Sequence, residues 1–380
     1  LYEHADPRRG EHLEWGVFIF NYERGEVRSF LLSSADYWLR TYHIDGFRVD
    51  AVTSMIRRDY DRATGGWVPN PEGGSENVEA MTFLRQLNDV VHHEHPGVLT
   101  SAEEATDWRG VTKPATEGGL GFDFKWNMGW MNDILRYVRR DPIDRTPHHH
   151  ELTFSFTYAF DERYMLPLSH DEVVHLKHSI LNKMPGEDWQ RFSAVRALYA
   201  LMYAHPGKKL LFMGGEFGQW REWAYAEQLQ WYLLDGEWGR RHRQLRDFVG
   251  TINQLYSNEP SLHQRDHSLD GFAWIDGTDA GHSVVAFLRL AADRRDAMAI
   301  VCNWQPVPCA DYRIGVPFPG RWVEALNTDA SRFGGLAVGN AEGCLALDEP
   351  LDGYPHALSL TLPPLGVVWL KQEGEPHREA

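Results

Sequence analysis

Three apolar runs of this sequence are each followed closely by a carboxylate side chain. The runs at residues 46–49, 97–102 and 164–168 lead to Asp50, Glu103 and Asp171. Cleavage of a glycosidic bond requires such a set: one carboxylate attacks the sugar, a carboxylic acid donates a proton, and a third acid lies near the positive charge that develops on the ring. These residue types therefore indicate a carbohydrate-active site.

The elements around the three acids have to position them. Through about residue 262, short β-rich runs alternate with helical patterns, such as the one near residues 76–94. This alternation is typical of βα units in a parallel sheet or barrel. Because the carboxyl ends of the strands in a barrel face one mouth, we expect Asp50, Glu103 and Asp171 to converge there.

Arg48 strengthens this pattern because it stands two residues before Asp50. Alternate residues of a strand share a face, so both side chains are predicted to point into the barrel interior. A guanidinium group beside a carboxylate stabilises its negative charge. The alternative for each single acid is that it caps the helix after a βα loop. Three acids at strand ends, one with an interior arginine, favour catalysis.

The sequence pattern changes after a turn at residues 263–271. Beyond it, turn signals separate short β-rich runs near residues 272–275, 283–289, 297–303, 321–326, 358–362 and 367–370. Such a pattern is typical of an antiparallel β-sandwich. We therefore predict two domains, residues 1–262 with the βα units and residues 263–380 with the all-β fold, and a frayed tail over residues 373–380.

Composition excludes several classes of partner. The 380 residues include 38 basic and 54 acidic side chains, a net charge of −16, which argues against a nucleic-acid or anionic-membrane surface. No apolar run approaches the roughly 20 residues needed to span a bilayer. The three cysteines, Cys302, Cys309 and Cys344, are too few for a disulfide framework, and a reducing cytoplasm is the expected location.

The sequence is unusually rich in tryptophan, with 15 of them. Trp126, Trp130, Trp220 and Trp223 follow predicted strands, where an indole face could stack on a sugar ring, although core packing is the alternative for each. Three histidines at residues 148–150 do not predict a metal site, because successive side chains diverge. We predict neither a metal nor a cofactor.

The acid-bearing segments resemble the signature regions of glycoside hydrolase family 13, the α-amylase superfamily, and within it the bacterial-type 1,4-α-glucan branching enzymes. The segments that carry the resemblance are Asp45-Gly46-Phe47-Arg48-Val49-Asp50-Ala51-Val52, Ala102-Glu103-Glu104-Ala105-Thr106 and Leu168-Ser169-His170-Asp171-Glu172-Val173-Val174-His175. The third is the most discriminating, because amylases typically carry an Asn-His-Asp form there. Further similar segments lie at residues 118–122, 125–131, 148–151, 211–219, 312–317, 326–329 and 362–366.

The resemblance implies a fold and a set of residue roles. The fold would be a partial (β/α)8 TIM barrel, strands four to eight, followed by the β-sandwich. Asp50 would be the nucleophile and Glu103 the general acid/base, while Glu104 would be a structural partner. Asp171, helped by His170, would stabilise the transition state. The residues expected to bind substrate are Arg48, His170, Trp126 and Trp130.

The implied reaction is a double displacement with retention, on α-1,4-glucan such as glycogen or amylose. A glucan segment would be carried on Asp50 and transferred to the 6-hydroxyl of an acceptor, which forms an α-1,6 branch. Two alternatives remain: an α-glucan hydrolase, such as an amylase or a trehalohydrolase-like enzyme, and a non-catalytic glucan-binding fragment. Whether water or sugar resolves the ester separates the hydrolase from the transferase.

The sequence departs from the family pattern in two places. Only 45 residues precede Gly46, whereas three βα units would need on the order of 30 residues each. We therefore expect this chain to be the C-terminal part of a longer enzyme, unstable or inactive alone. In addition, Leu176 and His178 stand where the family usually has glycine, and bulk there restricts φ.

Overall fold

The structure, a computed structural model, describes residues 2–63 and 65–374. The predicted tail therefore lies largely outside the described residues. The chain forms two compact units. The first comprises Leu1–Met128 and Asp161–Met165, and the second comprises Gly129–Phe160 and Leu166–Ala380.

The helices and strands follow one another in this order along the chain. The α-helices are α1 (Pro7–Gly10), α2 (Gly25–Tyr42), α3 (Val52–Ile56), α4 (Val78–Glu94), α5 (Met128–Val138), α6 (His150–Thr153), α7 (Ile180–Lys183), α8 (Asp188–Ala204), α9 (Arg240–Asn258) and α10 (Pro260–His263). The strands are β1 (Glu11–His12), β2 (Val17–Phe18), β3 (Gly46–Val49), β4 (Leu99–Ala102), β5 (Phe124–Trp126), β6 (Tyr164–Leu168), β7 (Lys208–Leu211), β8 (Phe272–Asp276), β9 (Val284–Leu290), β10 (Ala297–Asn303), β11 (Cys309–Val316), β12 (Arg321–Asn327), β13 (Cys344–Leu345), β14 (His356–Leu362) and β15 (Gly366–Gln372).

The first unit is built on parallel strands. Gly46 of β3 pairs with Leu99 of β4, and β4 continues to β5 and to the start of β6, all in parallel. Helix α4 buries residues spaced by three and four, Ala80, Leu84, Leu87 and Val91. This spacing places them on one helix face, which packs in the apolar core of the unit. The predicted parallel βα arrangement is confirmed.

The second unit contains the end of β6 and the strand β7, which is the last in the parallel order β3-β4-β5-β6-β7. Phe212, directly after β7, donates its N–H to the Leu168 carbonyl oxygen at 2.9 Å. Helix α8 is buried on all sides from residue 192 to residue 204. A helix that is buried on all sides lies in a core rather than at a surface.

The C-terminal strands form an antiparallel all-β domain, as predicted. One sheet has the order β13-β12-β15-β10-β9-β8, and β11 pairs with β14 in a second sheet. Side chains of both sheets share one core, with Ala299 of β10 and Leu358 of β14 among them. All seven residues of β10 are buried. Such a strand reads as a continuous apolar run because both of its faces are covered.

Two strands of the all-β domain were not predicted from the sequence, β11 and β13. Residues 309–313 of β11 are mostly exposed and polar, and the pairing is irregular between Cys309 and Tyr312. The predicted domain boundary at residues 262–263 does not coincide with the division into compact units, and it stays a prediction. None of the helices in the described part of the chain is long and apolar enough to cross a bilayer.

Candidate active site

In the first unit, two of the predicted acids lie at the ends of the adjacent strands β3 and β4. The backbone ladder continues one residue past the strands, because Glu103 donates its N–H to the Val49 carbonyl oxygen at 3.0 Å. Ala51 then turns the chain in a left-handed conformation, with φ at 49°. The turn aims the Ala51 N–H at Glu103 Oε2, 2.9 Å away. Asp50 and Glu103 are therefore held next to each other at the carboxyl ends of β3 and β4.

One guanidinium group joins these two carboxylates. Arg48 Nη1 lies 2.8 Å from Asp50 Oδ1, and Arg48 Nη2 lies 2.7 Å from Glu103 Oε2. The guanidinium carbon also stands 4.3 Å from the centre of the Trp126 ring, a cation–π distance. The contact places the two side chains on the same side of the chain, as predicted, although Asp50 comes one residue after the end of β3.

The two carboxyl groups have different surroundings. The Asp50 side chain is 76% exposed, whereas that of Glu103 is 19% exposed. Burial raises the pKa of Glu103 above its ordinary value, and the nearby Asp50 raises it further, whereas the Ala51 N–H and Arg48 oppose the shift without cancelling it. Glu103 is therefore suited to donate a proton, and the exposed Asp50 is suited to attack as a carboxylate.

Glu104 faces away from this pair, as predicted. It is completely buried, and its Oε2 lies 2.6 Å from Lys125 Nζ. Its other oxygen accepts hydrogen bonds from the hydroxyl groups of Thr53 and Thr106. The interpretation of Glu104 as a structural partner is confirmed.

Asp171 and His170 belong to the second unit, just after β6. The Asp171 N–H donates to the Ser169 hydroxyl oxygen at 3.3 Å, and Asp171 Oδ1 lies 3.3 Å from His170 Nε2. The His170 ring centre is 5.9 Å from those of Phe212 and Trp223. Both side chains keep more than a third of their surface exposed. They can therefore offer polar groups to a ligand.

The predicted indole platforms at Trp126 and Trp130 are covered. Trp126 is 4% exposed and lies against Arg48, and Trp130 is 2% exposed with its ring centre 6.1 Å from that of His205. Burial favours the packing role for both, and their contact with substrate stays a prediction without structural support. Trp223, in contrast, is partly exposed and packs edge-on against His170.

Two further features of the site were not predicted from the sequence. Ala51 supplies a backbone donor to Glu103, and the residues after Asp171 are held by Lys183 and Glu222. For the segment after Asp171, the sequence offered one signal. Leu176 occupies a position where the family usually has glycine. Within residues 2–63 and 65–374, no group of three histidine, cysteine, aspartate or glutamate side chains is placed to hold a metal ion.

Comparison with known proteins agrees with this architecture. The model of the α-amylase catalytic domain matches residues 18–301, and that of the α-amylase C-terminal all-β domain matches residues 274–373. Among solved structures, a pullulanase from Bacillus acidopullulyticus has a TM-score of 0.64 at 15% identity, covering 98% of this chain and 43% of that one. An α-amylase from H. orenii has a TM-score of 0.58 at 18% identity, covering 94% and 67%. These two likenesses show the fold alone.

Curated relatives are more similar in sequence. The chain is 54% identical to a 1,4-alpha-glucan branching enzyme GlgB from Rubrobacter xylanophilus, 53% to one from Cupriavidus necator and 52% to one from Rhodospirillum rubrum. The matches cover 98%, 98% and 100% of this chain and 51%, 49% and 51% of the relatives. The chain thus spans about half the length of these relatives. Because the catalytic-domain model covers most of its residues, the chain belongs to the α-amylase family, glycoside hydrolase family 13.

Proposed function

We propose that the protein is a 1,4-α-glucan branching enzyme. It cleaves an α-1,4-glucan and transfers the released segment to a 6-hydroxyl group, which creates an α-1,6 branch. The observation that carries this proposal is the single Arg48 guanidinium that holds Asp50 and Glu103 at adjacent strand ends. The similarity to relatives named as branching enzymes supports the choice of reaction.

In the first half of the reaction, the Asp50 carboxylate attacks the anomeric carbon of an α-1,4 linkage. The bond between that carbon and the leaving oxygen breaks, and Glu103 gives its proton to that oxygen. The raised pKa of Glu103 favours the protonated form that this step needs. The glucan segment is then an ester on Asp50, and Glu103 is a carboxylate.

In the second half, Glu103 acts as a base. It takes the proton from the 6-hydroxyl group of an acceptor glucan, whose oxygen attacks the anomeric carbon and displaces Asp50. Two inversions give net retention, and both carboxyl groups return to their starting states. Arg48 stabilises Asp50 as it becomes an anion again, because its guanidinium nitrogen lies 2.8 Å from the carboxylate.

We further propose that Asp171 and His170 bind sugar hydroxyl groups and stabilise the transition state. Their partial exposure and their mutual contact support a polar ligand-binding role. The substrate is a neutral polyhydroxyl polymer, to which a chain of net charge −16 poses no electrostatic conflict. A cytoplasmic location is also proposed, and the free state of Cys302, Cys309 and Cys344 supports it.

Incubation of the complete protein with amylose tests the proposed reaction. A branching transferase lowers iodine staining without adding reducing ends, because each bond that is broken is replaced by a new glycosidic bond. A rise in reducing ends equal to the number of bonds cleaved would identify a hydrolase instead. Binding of amylose with no change in either readout would identify a non-catalytic glucan-binding protein.

A further inference from the structure

The segment after Asp171, residues 172–178, has an unusual backbone. His175, Leu176 and His178 have φ angles of 55°, 65° and 68°, in the left-handed region. A side chain with a Cβ is strained there, whereas glycine is not. Leu176 is 88% exposed, so burial of its side chain does not compensate for this strain. Other contacts must hold the segment in this path.

One of these contacts is the carboxylate of Glu222, which lies on a later loop of the same unit. Glu222 Oε2 accepts the N–H of Leu176 at 2.9 Å, and Glu222 Oε1 accepts the N–H of His178 at 2.5 Å. Each carboxylate oxygen thus satisfies one backbone donor of the strained segment. Backbone donors on a carboxylate are charge-assisted hydrogen bonds, which are stronger than neutral ones.

A second contact is the ammonium group of Lys183. The Lys183 side chain is 5% exposed, and its Nζ donates to the carbonyl oxygens of Glu172, Lys177 and His178 at 2.5, 2.5 and 2.6 Å. The segment is therefore held from both sides, by an anion on two of its N–H groups and a buried cation on three of its carbonyl groups.

The loop that carries Glu222 also reaches His170. The next residue, Trp223, donates its N–H to the Val173 carbonyl oxygen at 2.8 Å. The Trp223 ring stands edge-on to the His170 ring, with 5.9 Å between their centres. His170 in turn lies 3.3 Å from the Asp171 carboxylate. A continuous set of contacts thus connects Glu222 with the pair His170 and Asp171.

We propose that Glu222 is a positioning residue for His170 and Asp171. It holds a segment with three left-handed residues, His175, Leu176 and His178, and together with Trp223 it fixes where this segment leaves Asp171. This inference rests on the proposed function, because it assigns Glu222 to the reaction in which Asp171 takes part. Glu222 itself does not touch the reacting atoms in this account.

Glu222→Ala in the complete protein tests the proposal. We expect kcat for glucan cleavage to fall by about 10-fold to 100-fold, because a small displacement of a transition-state group is costly. Amide hydrogen exchange of Leu176 and His178 should become faster, since both N–H groups lose their acceptor. The matched control is Glu227→Ala, an exposed glutamate of the same loop that pairs with Arg221 at 3.5 Å, which should change neither quantity.

A rescue experiment separates positioning from a general loss of stability. Leu176→Gly with His178→Gly removes the strain at two of the three left-handed residues, so the segment depends less on Glu222 to keep its path. Added to Glu222→Ala, the two glycines should restore most of the lost kcat. Asp352→Gly, at another left-handed position with φ at 52°, should restore none of it.

Two results would overturn the inference: a kcat that Glu222→Ala leaves unchanged, or a loss of kcat that the two glycines do not reduce. Failure of the proposed function gives a different result. If the protein hydrolysed amylose instead of branching it, the reaction assignment would be wrong, yet the cleavage rate and the amide exchange would still report on Glu222.

Discussion

At the scale of single residues, two chemically similar carboxyl groups have different surroundings. Asp50 is largely exposed and pairs with Arg48, whereas Glu103 is largely buried between Arg48 and the Ala51 N–H. Burial disfavours a charge, and it raises the pKa of Glu103, whereas the Arg48 guanidinium favours the charged form and opposes that shift. Arg48 is the residue that contacts both carboxyl groups.

Arg48→Met should move the alkaline limb of the pH–rate profile to higher pH. The acid must be protonated to act, so activity falls as pH rises through the pKa of Glu103. Arg48 opposes the upward shift of that pKa, and its removal should raise the pKa further. The dependence of kcat/KM on pH in the complete protein measures this.

Arg57→Met serves as the control for that experiment. Arg57 lies in the same unit and pairs with Asp59 at 3.0 Å, so its loss should leave the alkaline limb of the pH–rate profile at the same pH. An unchanged limb in Arg48→Met, with measurable activity, would show that Arg48 does not adjust the pKa of the proton donor.

Lys125→Met should destabilise the protein by about 3–5 kcal/mol, because it leaves the buried Glu104 carboxylate without its cation. Adding Glu104→Gln removes the uncompensated charge and should recover part of this loss. The free energy of unfolding in urea, measured for the single and double variants, tests the prediction. A double variant less stable than Lys125→Met would contradict it.

At the scale of elements, the sequence predicts the strands better than it predicts the turns that follow them. The β3 strand and Arg48 could be predicted, because alternation places side chains on known faces. The left-handed turn at Ala51 could not, since no glycine marks it. From the sequence, Leu176 and His178 stand out only because the family usually has glycine at their positions. The structure shows why glycine is favoured there, since both residues have left-handed φ angles. The β11 strand was missed because its exposed polar residues lack an apolar pattern.

Ala51→Gly should stabilise the protein by up to about 1 kcal/mol, because glycine adopts the left-handed conformation without strain. Ala51→Val should destabilise it, since a branched Cβ is more crowded there. Thermal unfolding midpoints of the three proteins measure the order. The expected order is glycine above alanine above valine, and a valine variant as stable as the parent would show that the turn is not strained.

At the scale of the whole molecule, the two broad features that the sequence predicts are the parallel βα half-barrel and the antiparallel all-β domain, and both are present. Within the second unit, helices and β-domain are tied together by buried charge. Arg289 of β9 lies 2.8 Å from Asp266 and donates to the Ala204 carbonyl oxygen at the end of α8. This ion pair could not be predicted from the sequence, because nothing in the sequence distinguishes a buried arginine of a strand from an exposed one.

Asp266→Asn should change how stability depends on pH. Burial alone would raise the pKa of Asp266, but Lys209, Arg289 and Lys208 outweigh it and hold that pKa well below its ordinary value. The stabilising effect of the carboxylate is therefore fully present above its unfolded pKa of about 4 and is lost as pH falls below it.

The variant should accordingly be less stable than the parent at neutral pH, and the difference should shrink in acid. Urea unfolding over a series of pH values measures the difference. A difference that stays constant down to the acid unfolding of the parent would contradict the assignment.

In the proposed reaction Asp50 attacks the sugar, and Glu103 then acts as the base for the acceptor that displaces the resulting ester. The most direct measurement uses Glu103→Gln of the complete protein with an α-glucosyl fluoride. Fluoride leaves without a proton from Glu103, so the ester can form, but its removal is slowed because the base is absent. Peptide mass spectrometry should find the added sugar on Asp50. A sugar on any other residue, or fluoride release by Asp50→Asn as fast as by the parent, would contradict the account.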